Sequence, residues 1–292
     1  MTILVTGSTG TIGSLVVSQL ADRGAEVRAM VRDPAKAELP AGVAPVRADF
    51  LDVDAMRAAL RGASTLFLLN AVVPDELTQA LIALDLAREA GIERVVYFSV
   101  LTADISADVP HFASERAVER MIEQADVPAT VLRPAYFFQN DAALQEPVLG
   151  RGVYPMPVGG VGVEMADARD IAEVAALSIL KRETAAGPLP RELIEIAGPD
   201  ALTGDALAAL WSDLSGKQVA YAGDDLDAFE EQTKARMPGW AARDMRLMVR
   251  GFQRHGMKAK PDAQARLTEV LGRPPRAYRD FARETLERWR RV

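Results

Sequence analysis

Residues 2–13, TILVTGSTGTIG, determine how the rest of the chain is interpreted. An apolar run ends at Thr6, three glycines follow at Gly7, Gly10 and Gly13, and an apolar helical pattern begins. Glycines at this spacing permit a tight turn, a close approach of the backbone to a pyrophosphate and close packing of helix on strand. Backbone N–H groups and the positive end of the helix then face the phosphates. The segment predicts a dinucleotide-binding loop in a βαβ unit, with a purely structural turn as the alternative.

Beyond this segment, short apolar runs alternate with amphipathic stretches as far as residue 135. The apolar runs predict strands at residues 2–6, 26–31, 43–47, 65–69, 94–99 and 129–133. Parallel strands need a covering crossover, so the alternation predicts an α/β fold: a Rossmann-like, doubly wound parallel sheet. After Pro134 the chain is mostly helical, apart from a glycine-rich loop at 150–162 and a strand at 193–197. We expect a dinucleotide-binding core over 1–140 and a smaller substrate cap over 141–292 that returns one or two strands to the core.

The composition excludes several classes of site. The 292 residues contain no Cys, which removes disulfides, thiolate zinc sites and cysteine nucleophiles. The two histidines, His111 and His255, are too far apart in sequence for a histidine-based metal motif, so we expect no metal. No apolar run reaches the roughly 18–20 residues of a membrane span. A core strand is predicted almost directly after Met1, so we expect a cytoplasmic protein without a targeting peptide.

The formal net charge of −7 is unevenly distributed. Residues 232–292 contain sixteen Lys or Arg and only six Asp or Glu, so positive charge collects at the C-terminal end. This segment is either a basic arm for an acidic partner or the solvated face of several helices. Because the overall charge is negative, we expect no nucleic acid as a partner. We also expect no membrane, since the apolar runs are short, and a small-molecule substrate as the partner. A homodimer is compatible with the sequence, which does not determine the oligomeric state.

The end of the second predicted strand bears on the choice of cofactor. An NAD site normally has an acidic side chain there to hold the ribose 2′-hydroxyl, whereas this chain has Arg32. A guanidinium suits the 2′-phosphate of NADP because it offers charge and paired donors. Asp33 keeps the alternative open, since its carboxylate could turn inward toward a hydroxyl. The sequence therefore favours NADP(H), with NAD(H) as the alternative.

Several later motifs, together with the glycine spacing, resemble the NmrA-like branch of the atypical short-chain dehydrogenases/reductases. In chain order they are Val31-Arg-Asp-Pro34, Ala48-Asp-Phe50, His111-Phe-Ala-Ser-Glu115, Leu132-Arg-Pro-Ala-Tyr-Phe-Phe-Gln-Asn140, Ala168-Arg-Asp-Ile-Ala172 and Gly272-Arg-Pro-Pro-Arg-Ala-Tyr-Arg-Asp-Phe281. Each motif is modest, but together they span nearly the whole chain. The resemblance implies a Rossmann-like fold, a nicotinamide cofactor and a similarity to reductases of quinones and triphenylmethane dyes.

The resemblance also implies a set of cofactor contacts. Contacts to the phosphates and the adenosine half would come from Gly7, Thr9, Gly10, Thr11, Ile12, Gly13, Arg32, Asp49 and Phe50. Contacts to the ribose and nicotinamide would come from Asn70, Ser99, Pro134, Tyr136 and Phe137. The expected lining of an apolar substrate pocket is Tyr136, Phe138, Tyr154 and Met156. Each of these aromatic residues is also compatible with a place in the core.

The catalytic residues of the family's ancestral chemistry are Ser, Tyr and Lys, the last two in a Tyr-x-x-x-Lys arrangement. At the corresponding place this chain has His111 and Glu115, and a Glu cannot lower the pKa of a phenol. An acceptor that is already electrophilic needs little acid help, so ordered binding in an apolar pocket can suffice. His111 is the candidate proton donor, with Ser99 and Glu115 beside it in the candidate catalytic set. The alternatives are that His111 packs at its helix start and that Glu115 is a surface or ribose-side carboxylate.

The sequence is compatible with two functions. The first is a reductase that transfers hydride from NAD(P)H to a small, apolar, conjugated acceptor such as a quinone, an enone or a dye. The second is a non-catalytic NAD(P) sensor that acts through a protein partner, which the missing Tyr and Lys would fit. The predicted aromatic pocket favours the reductase, because a sensor has less need of one.

Overall fold

The computed structural model describes residues 1–291, and its strands belong to one large sheet and one small one. The strands are β1 Thr2–Val5, β2 Glu26–Val31, β3 Ala44–Arg47, β4 Thr65–Leu68, β5 Val95–Phe98, β6 Ala129–Pro134, β7 Val153–Tyr154, β8 Glu192–Ile196 and β9 Ala220–Tyr221. The large sheet has seven strands in the order β3-β2-β1-β4-β5-β6-β8. Strands β1 to β6 pair in parallel, and this strand order is that of the Rossmann fold. The predicted α/β fold class is confirmed.

Within the described part of the chain, ten α-helices connect and follow these strands. They are α1 Thr11–Asp22, α2 Val53–Leu60, α3 Glu76–Glu89, α4 Pro110–Gln124, α5 Ala168–Thr184, α6 Gly204–Ser215, α7 Leu226–Lys234, α8 Gly239–His255, α9 Ala263–Leu271 and α10 Tyr278–Trp289. Short 3₁₀-helical segments lie at Pro34–Lys36 and Phe138–Ala143, and a short π-helical segment lies at Glu146–Gly150. Within residues 1–291, none of these helices has the length and apolarity that a bilayer crossing requires.

The burial of each strand agrees with its place in the large sheet. Strands β1, β4, β5 and β6 are buried at every position, which fits their nearly continuous apolar sequences in a sheet covered on both faces. Strand β3 is at the edge of the sheet, and three of its four residues are exposed. It contains Pro45, which lacks a backbone N–H and is therefore tolerated only where a strand needs no partner on that side.

Local capping residues set the ends of the helices that support the sheet. The Asp52 carboxylate accepts a hydrogen bond from Ala55 N at 3.0 Å and caps α2. Gly91 follows α3 with a φ of +74°, a conformation that favours glycine. Thr203 caps α6 through its hydroxyl, and Gly216 ends that helix in the left-handed region.

The chain forms two compact units that interleave along the sequence. The first unit comprises residues 1–100, 114–133 and 168–194, and the second comprises 101–113, 134–167 and 195 onward. Because the chain passes between the units five times, neither unit corresponds to a single stretch such as 1–140 or 141–292. The assignment of cofactor binding and substrate binding to those two stretches stays a prediction.

Candidate functional site

The glycine-rich turn lies between β1 and α1, as the sequence predicts. Gly7 has a φ of +60°, and the N–H of Gly10 donates to its carbonyl oxygen at 3.0 Å to close the turn. A Cβ atom at Gly13 would lie 2.0 Å from Gly7 O, so packing of the helix against the turn requires glycine there. A Cβ at Gly10 would lie 3.4 Å from the same oxygen, and Gly10 has an ordinary φ of −83°. The chain's own packing therefore requires Gly13 more strongly than it requires Gly10.

Two hydroxyl groups hold the turn against the neighbouring strands. Ser8 Oγ donates to the carbonyl oxygen of Met30 in β2 at 2.6 Å. Thr6 Oγ1 accepts from Leu69 N at 2.8 Å and contacts Leu69 O at 3.0 Å. Sequence reasoning missed the role of Ser8, because a serine inside a glycine-rich loop carries no positional signal of its own.

The N-terminus of α1 is open to an anion. Gly10 is the N-cap residue and has no side chain to cap the helix, and no acidic residue occurs in the first turn. Thr9, Gly10 and Thr11 are exposed, whereas Ile12 and Gly13 are buried. An exposed helix start with neither a capping side chain nor a negative charge leaves backbone N–H groups and the positive end of the helix dipole available to a phosphate.

Arg32 and Asp33, at the end of β2, have different surroundings. The exposed Arg32 makes no hydrogen bond or ion pair within the described residues. The Asp33 carboxylate accepts from Ala35 N at 3.1 Å, caps the turn Pro34–Lys36 and lies 3.4 Å from Lys36 Nζ. Asp33 is therefore engaged in a local cap, and Arg32 is the available charge at this strand end.

Asp49 and Phe50 follow the edge strand β3. Asp49 is exposed, and its Oδ1 accepts from Leu51 N at 3.1 Å. Phe50 is partly buried and packs against the apolar cluster under the sheet. Both residues keep exposed surface that an adenine could contact.

Asn70 has both of its amide atoms buried without a hydrogen-bond partner among the described residues. It lines a pocket in the first unit, together with Glu76, Leu77, Ala80, Tyr97, Phe98, Ser114, Glu115 and Val118. A buried amide without partners is costly, and a ligand hydroxyl or amide could satisfy it. Asn70 thus has the free hydrogen-bonding capacity that the predicted ribose contact requires.

The same pocket contains a phenol and carboxylates. Burial raises the pKa of Tyr97 well above its usual value, and the negative charges of Glu115, Glu119 and Glu76 raise it further. The Tyr97 hydroxyl therefore stays protonated and can act only as a neutral hydrogen-bonding group. Glu115, one of the candidate catalytic residues, lies in this lining and has part of its surface exposed.

Ser99, also in the first unit, belongs to a buried ionic network. Its hydroxyl donates to Glu119 Oε1 at 2.6 Å, and the residue is 1% exposed. Arg133 binds both oxygens of Glu119, at 2.8 and 2.7 Å, and Arg116 adds a contact at 3.1 Å. The hydroxyl proton of Ser99 is thus already donated to a carboxylate in this structure. Its predicted role beside the nicotinamide remains a proposal.

His111, in the second unit, is paired with an acidic residue far along the chain. Asp244 Oδ1 accepts from His111 N at 3.1 Å, and Asp244 Oδ2 lies against His111 Nδ1. The ring of Phe112 packs edge-on against the imidazole, with the ring centres 4.5 Å apart. Sequence reasoning missed Asp244, although one signal was present: it is the only acidic residue in the strongly basic helix α8.

The predicted substrate-pocket residues have different degrees of burial. Phe138 and Tyr154 are core residues of the second unit, since they are 1% and 0% exposed. Phe138 packs against Tyr278 and Phe281, and the Tyr154 hydroxyl donates to Asp141 Oδ2 at 2.9 Å. The pocket prediction therefore narrows to its two partly exposed members, Tyr136 and Met156, and the predicted cofactor contact Phe137 is also partly exposed. Tyr136 packs edge-on against Phe252, and the neighbouring Pro134 is buried and accepts from Leu101 N at 2.8 Å.

Asp141 is the centre of a buried hydrogen-bond cluster in the second unit. Tyr278 donates to Asp141 Oδ2 at 2.5 Å, and Trp211 Nε1 donates to the Tyr278 hydroxyl at 3.1 Å. Burial raises the pKa of Asp141 to about 6, against the lowering effect of the hydrogen bonds from Tyr278 and Tyr154. This cluster explains why the polar Tyr154 is buried. It also places one titratable carboxylate, that of Asp141, in the core of the second unit.

Comparison with known proteins gives consistent results. A model of the NmrA-like family matches residues 1–281. An NAD(P)H azoreductase from Xenophilus azovorans is 31% identical over 291 residues, covering 96% of each chain. A (4-alkanoyl-5-oxo-2,5-dihydrofuran-3-yl)methyl phosphate reductase from Streptomyces griseus subsp. griseus is 29% identical over 290 residues, covering 98% of each. The crystal structure of an NADPH-dependent quinone oxidoreductase from Escherichia coli, complexed with NADPH, has a TM-score of 0.86 at 27% identity and covers 98% of this chain and 100% of that one.

Proposed function

The chain belongs to the NmrA-like family, and from this premise we propose that it is an NAD(P)H-dependent reductase of small, apolar, conjugated acceptors. The three relatives described above are named for the reduction of an azo compound, an oxo-dihydrofuran and a quinone. Such acceptors have electron-poor double bonds, so they accept hydride with little acid help. Their chemistry fits a chain in which His and Glu stand where the ancestral Tyr and Lys would be.

One observation carries the cofactor part of the proposal: the space beside Gly10. The residue is exposed, has an ordinary φ and has room for a Cβ atom, so neither its conformation nor internal packing demands a glycine. A side chain there would instead occupy the space outside the uncapped start of α1, where a pyrophosphate would bind. The unpartnered amide of Asn70 is a second feature that a nucleotide would satisfy. These residues fit a dinucleotide.

Each group of the chain has a defined task in this proposal. The turn from Gly7 to Gly13 holds the pyrophosphate, and Arg32 holds the 2′-phosphate, so NADP(H) is preferred over NAD(H). Bound NADPH supplies the hydride. His111 supplies the proton that the reduced acceptor takes up, and Tyr136 and Met156 offer apolar surface to it. We propose that Ser99 and Glu115 also take part in catalysis, beside His111.

Turnover with a panel of acceptors tests the proposal. Purified protein is mixed with NADPH and, in turn, a quinone, a conjugated enone and an azo or triphenylmethane dye, and absorbance is followed at 340 nm. We expect NADPH consumption with at least one acceptor class and slower consumption of NADH. Tight binding of NADPH without turnover of any acceptor would contradict the reductase and favour the NAD(P) sensor.

The remaining expectations about partners are part of this proposal. The substrate is a small molecule, and no nucleic acid is required. A homodimer and a cytoplasmic location stay predictions, and light scattering of the purified protein measures the first. In the basic C-terminal segment, Arg243 and Arg246 pair with Glu230 at 3.1 and 3.4 Å, and Arg250 pairs with Asp108 at 2.7 Å. These ion pairs favour the interpretation of that segment as solvated helix faces over a basic arm.

A further inference from the structure

We propose that Asp244 is a positioning residue that fixes the proton of His111 on Nδ1 and leaves Nε2 to donate to the acceptor. The inference rests on the proposed reductase function, because it assigns the group that prepares the proton donor of that reaction. Asp244 is a residue that the motifs of the sequence do not indicate, since it is 133 positions away from His111.

The geometry of the pair supports two simultaneous contacts. Asp244 is 2% exposed, and His111 is 7% exposed. One carboxylate oxygen accepts from the backbone N–H of His111 at 3.1 Å, which satisfies one of the free N–H groups at the start of α4. The other oxygen lies against Nδ1 of the ring. The two contacts together fix both the backbone and the imidazole of the same residue.

The arginines near Asp244 on its own helix are paired with other carboxylates. On α8, the guanidinium groups of Arg243, Arg246 and Arg250 have carboxylate partners on other elements. The partner of Arg250 is Asp108, which lies just before α4. Among the described residues, His111 is the group that the Asp244 carboxylate contacts. A buried carboxylate requires donors, and His111 Nδ1, which lies against Asp244 Oδ2, is the group in place to provide one.

This arrangement defines the proton chemistry of the ring. With a proton held on Nδ1 by Asp244, the neutral ring has its lone pair on Nε2, and the charged ring has an N–H there. During reduction the Nε2–H bond breaks as a new O–H or N–H bond forms on the acceptor, which has gained the electron pair of the hydride. The ring returns to the neutral Nδ1–H form, and solvent restores the proton on Nε2. Asp244 keeps the ring in one orientation and one tautomer.

The substitution Asp244→Asn separates positioning from simple helix capping. The amide oxygen of Asn can still accept from His111 N, so the cap is retained. Its NH₂ group would face Nδ1, which must then act as an acceptor and release its proton to Nε2. A capping role alone predicts no change in the ring, whereas the positioning role predicts that the tautomer inverts.

Nitrogen NMR of the ring tests this directly. The chain has only two histidines, so His255→Gln leaves His111 as the single imidazole to be observed. At a pH where the ring is neutral, we expect the Nδ1–H tautomer in this background and the Nε2–H tautomer after Asp244→Asn. We also expect kcat to fall about 100-fold while KM for NADPH and acceptor stays within about twofold. Asp227→Asn, which removes an exposed ion pair with Arg246, is the matched control and should change neither.

The outcomes separate this inference from the proposed function. An Nε2–H tautomer in the wild-type ring, or an unchanged tautomer in a folded Asp244→Asn variant, overturns the positioning role. The wild-type measurement decides even if the variant does not fold. Absence of turnover with every acceptor, together with the Nδ1–H tautomer, refutes the reductase while the contact between Asp244 and the ring stands.

Discussion

Gly10 and Gly13 illustrate, at the scale of single residues, two different demands for glycine. Gly13 is required by the chain itself, because an added Cβ would lie 2.0 Å from a backbone oxygen of the same turn. Gly10 has an ordinary φ and room for a Cβ atom, so packing within the chain does not demand its small size, and we propose that this size serves a bound cofactor. The same glycine spacing therefore encodes a packing constraint and, in the proposed function, a binding site.

Arg32→Ala tests the choice of cofactor at this scale. We expect the Kd for NADPH to rise about 10- to 100-fold, because a charged hydrogen bond to the 2′-phosphate is lost, while the Kd for NADH changes less than twofold. Titration calorimetry with each nucleotide measures both values. Arg57→Ala, which removes an ion-paired arginine elsewhere in the first unit, is the control. Equal losses for both nucleotides would remove the argument for phosphate recognition.

The residues that sequence reasoning located are those whose roles depend on near neighbours. The glycine turn and Arg32 belong to one βαβ unit, so their spacing along the chain is enough to indicate them. Asp244 could not be found by spacing, because its contact with His111 depends on the folding of distant segments. Residue type also does not separate a core aromatic from a pocket aromatic, which is why the pocket prediction included Phe138 and Tyr154.

At the scale of elements, the first strand, its turn and the first helix form one rigid connection. Thr6 anchors the end of β1 to the chain after β4, and Ser8 anchors the turn to β2. Gly13 lets α1 approach the turn closely. Fixed backbone N–H groups at the helix start are a condition for binding a phosphate without reorganisation.

Gly13→Ala tests the rigidity of this connection. The new methyl group meets Gly7 O at less than van der Waals distance, so the helix must shift away from the turn. We expect the free energy of unfolding to fall by about 2–3 kcal/mol, despite the better helix propensity of Ala. Urea unfolding measures this loss, and Gly10→Ala should differ from wild type by less than about 1 kcal/mol. Equal stabilities of the Gly13→Ala and wild-type proteins would show that the turn adapts freely.

At the scale of the whole molecule, the two compact units each contain a buried polar centre. In the first unit Glu119 joins Ser99 to Arg133, and in the second Asp141 joins Tyr154 to Tyr278. The alternation of strands and helices predicts the parallel sheet of the first unit. The interleaved course of the chain could not be predicted, because a change of unit inside α4 leaves no mark on the helical pattern.

Asp141→Asn tests the effect of the second centre on stability. The pKa of Asp141 is about 6 in the folded protein, above the usual 3.8 of an aspartate, so the folded protein retains this proton to a higher pH than the unfolded one. The stability that this group contributes is complete below about pH 4 and is lost as the pH rises through about 6. Wild type should therefore lose on the order of 3 kcal/mol of its free energy of unfolding between pH 4 and pH 7 through this group. The Asn variant lacks the titration, so its stability relative to wild type should rise by that amount over the same range. Urea unfolding at both pH values measures the difference, and a constant difference would contradict the role assigned to Asp141.

The central claim, that the turn after β1 binds a nicotinamide dinucleotide, is tested most directly by calorimetric titration of NADPH. The proteins to compare are wild type, Gly10→Val and Gly187→Val, the last being a control at a glycine of the same unit where an added Cβ meets nothing within 4 Å. We predict one NADPH bound per chain in wild type and control, and binding at least about 100-fold weaker in Gly10→Val at nearly unchanged stability. No binding to wild type, or equal affinity in Gly10→Val, would contradict the account.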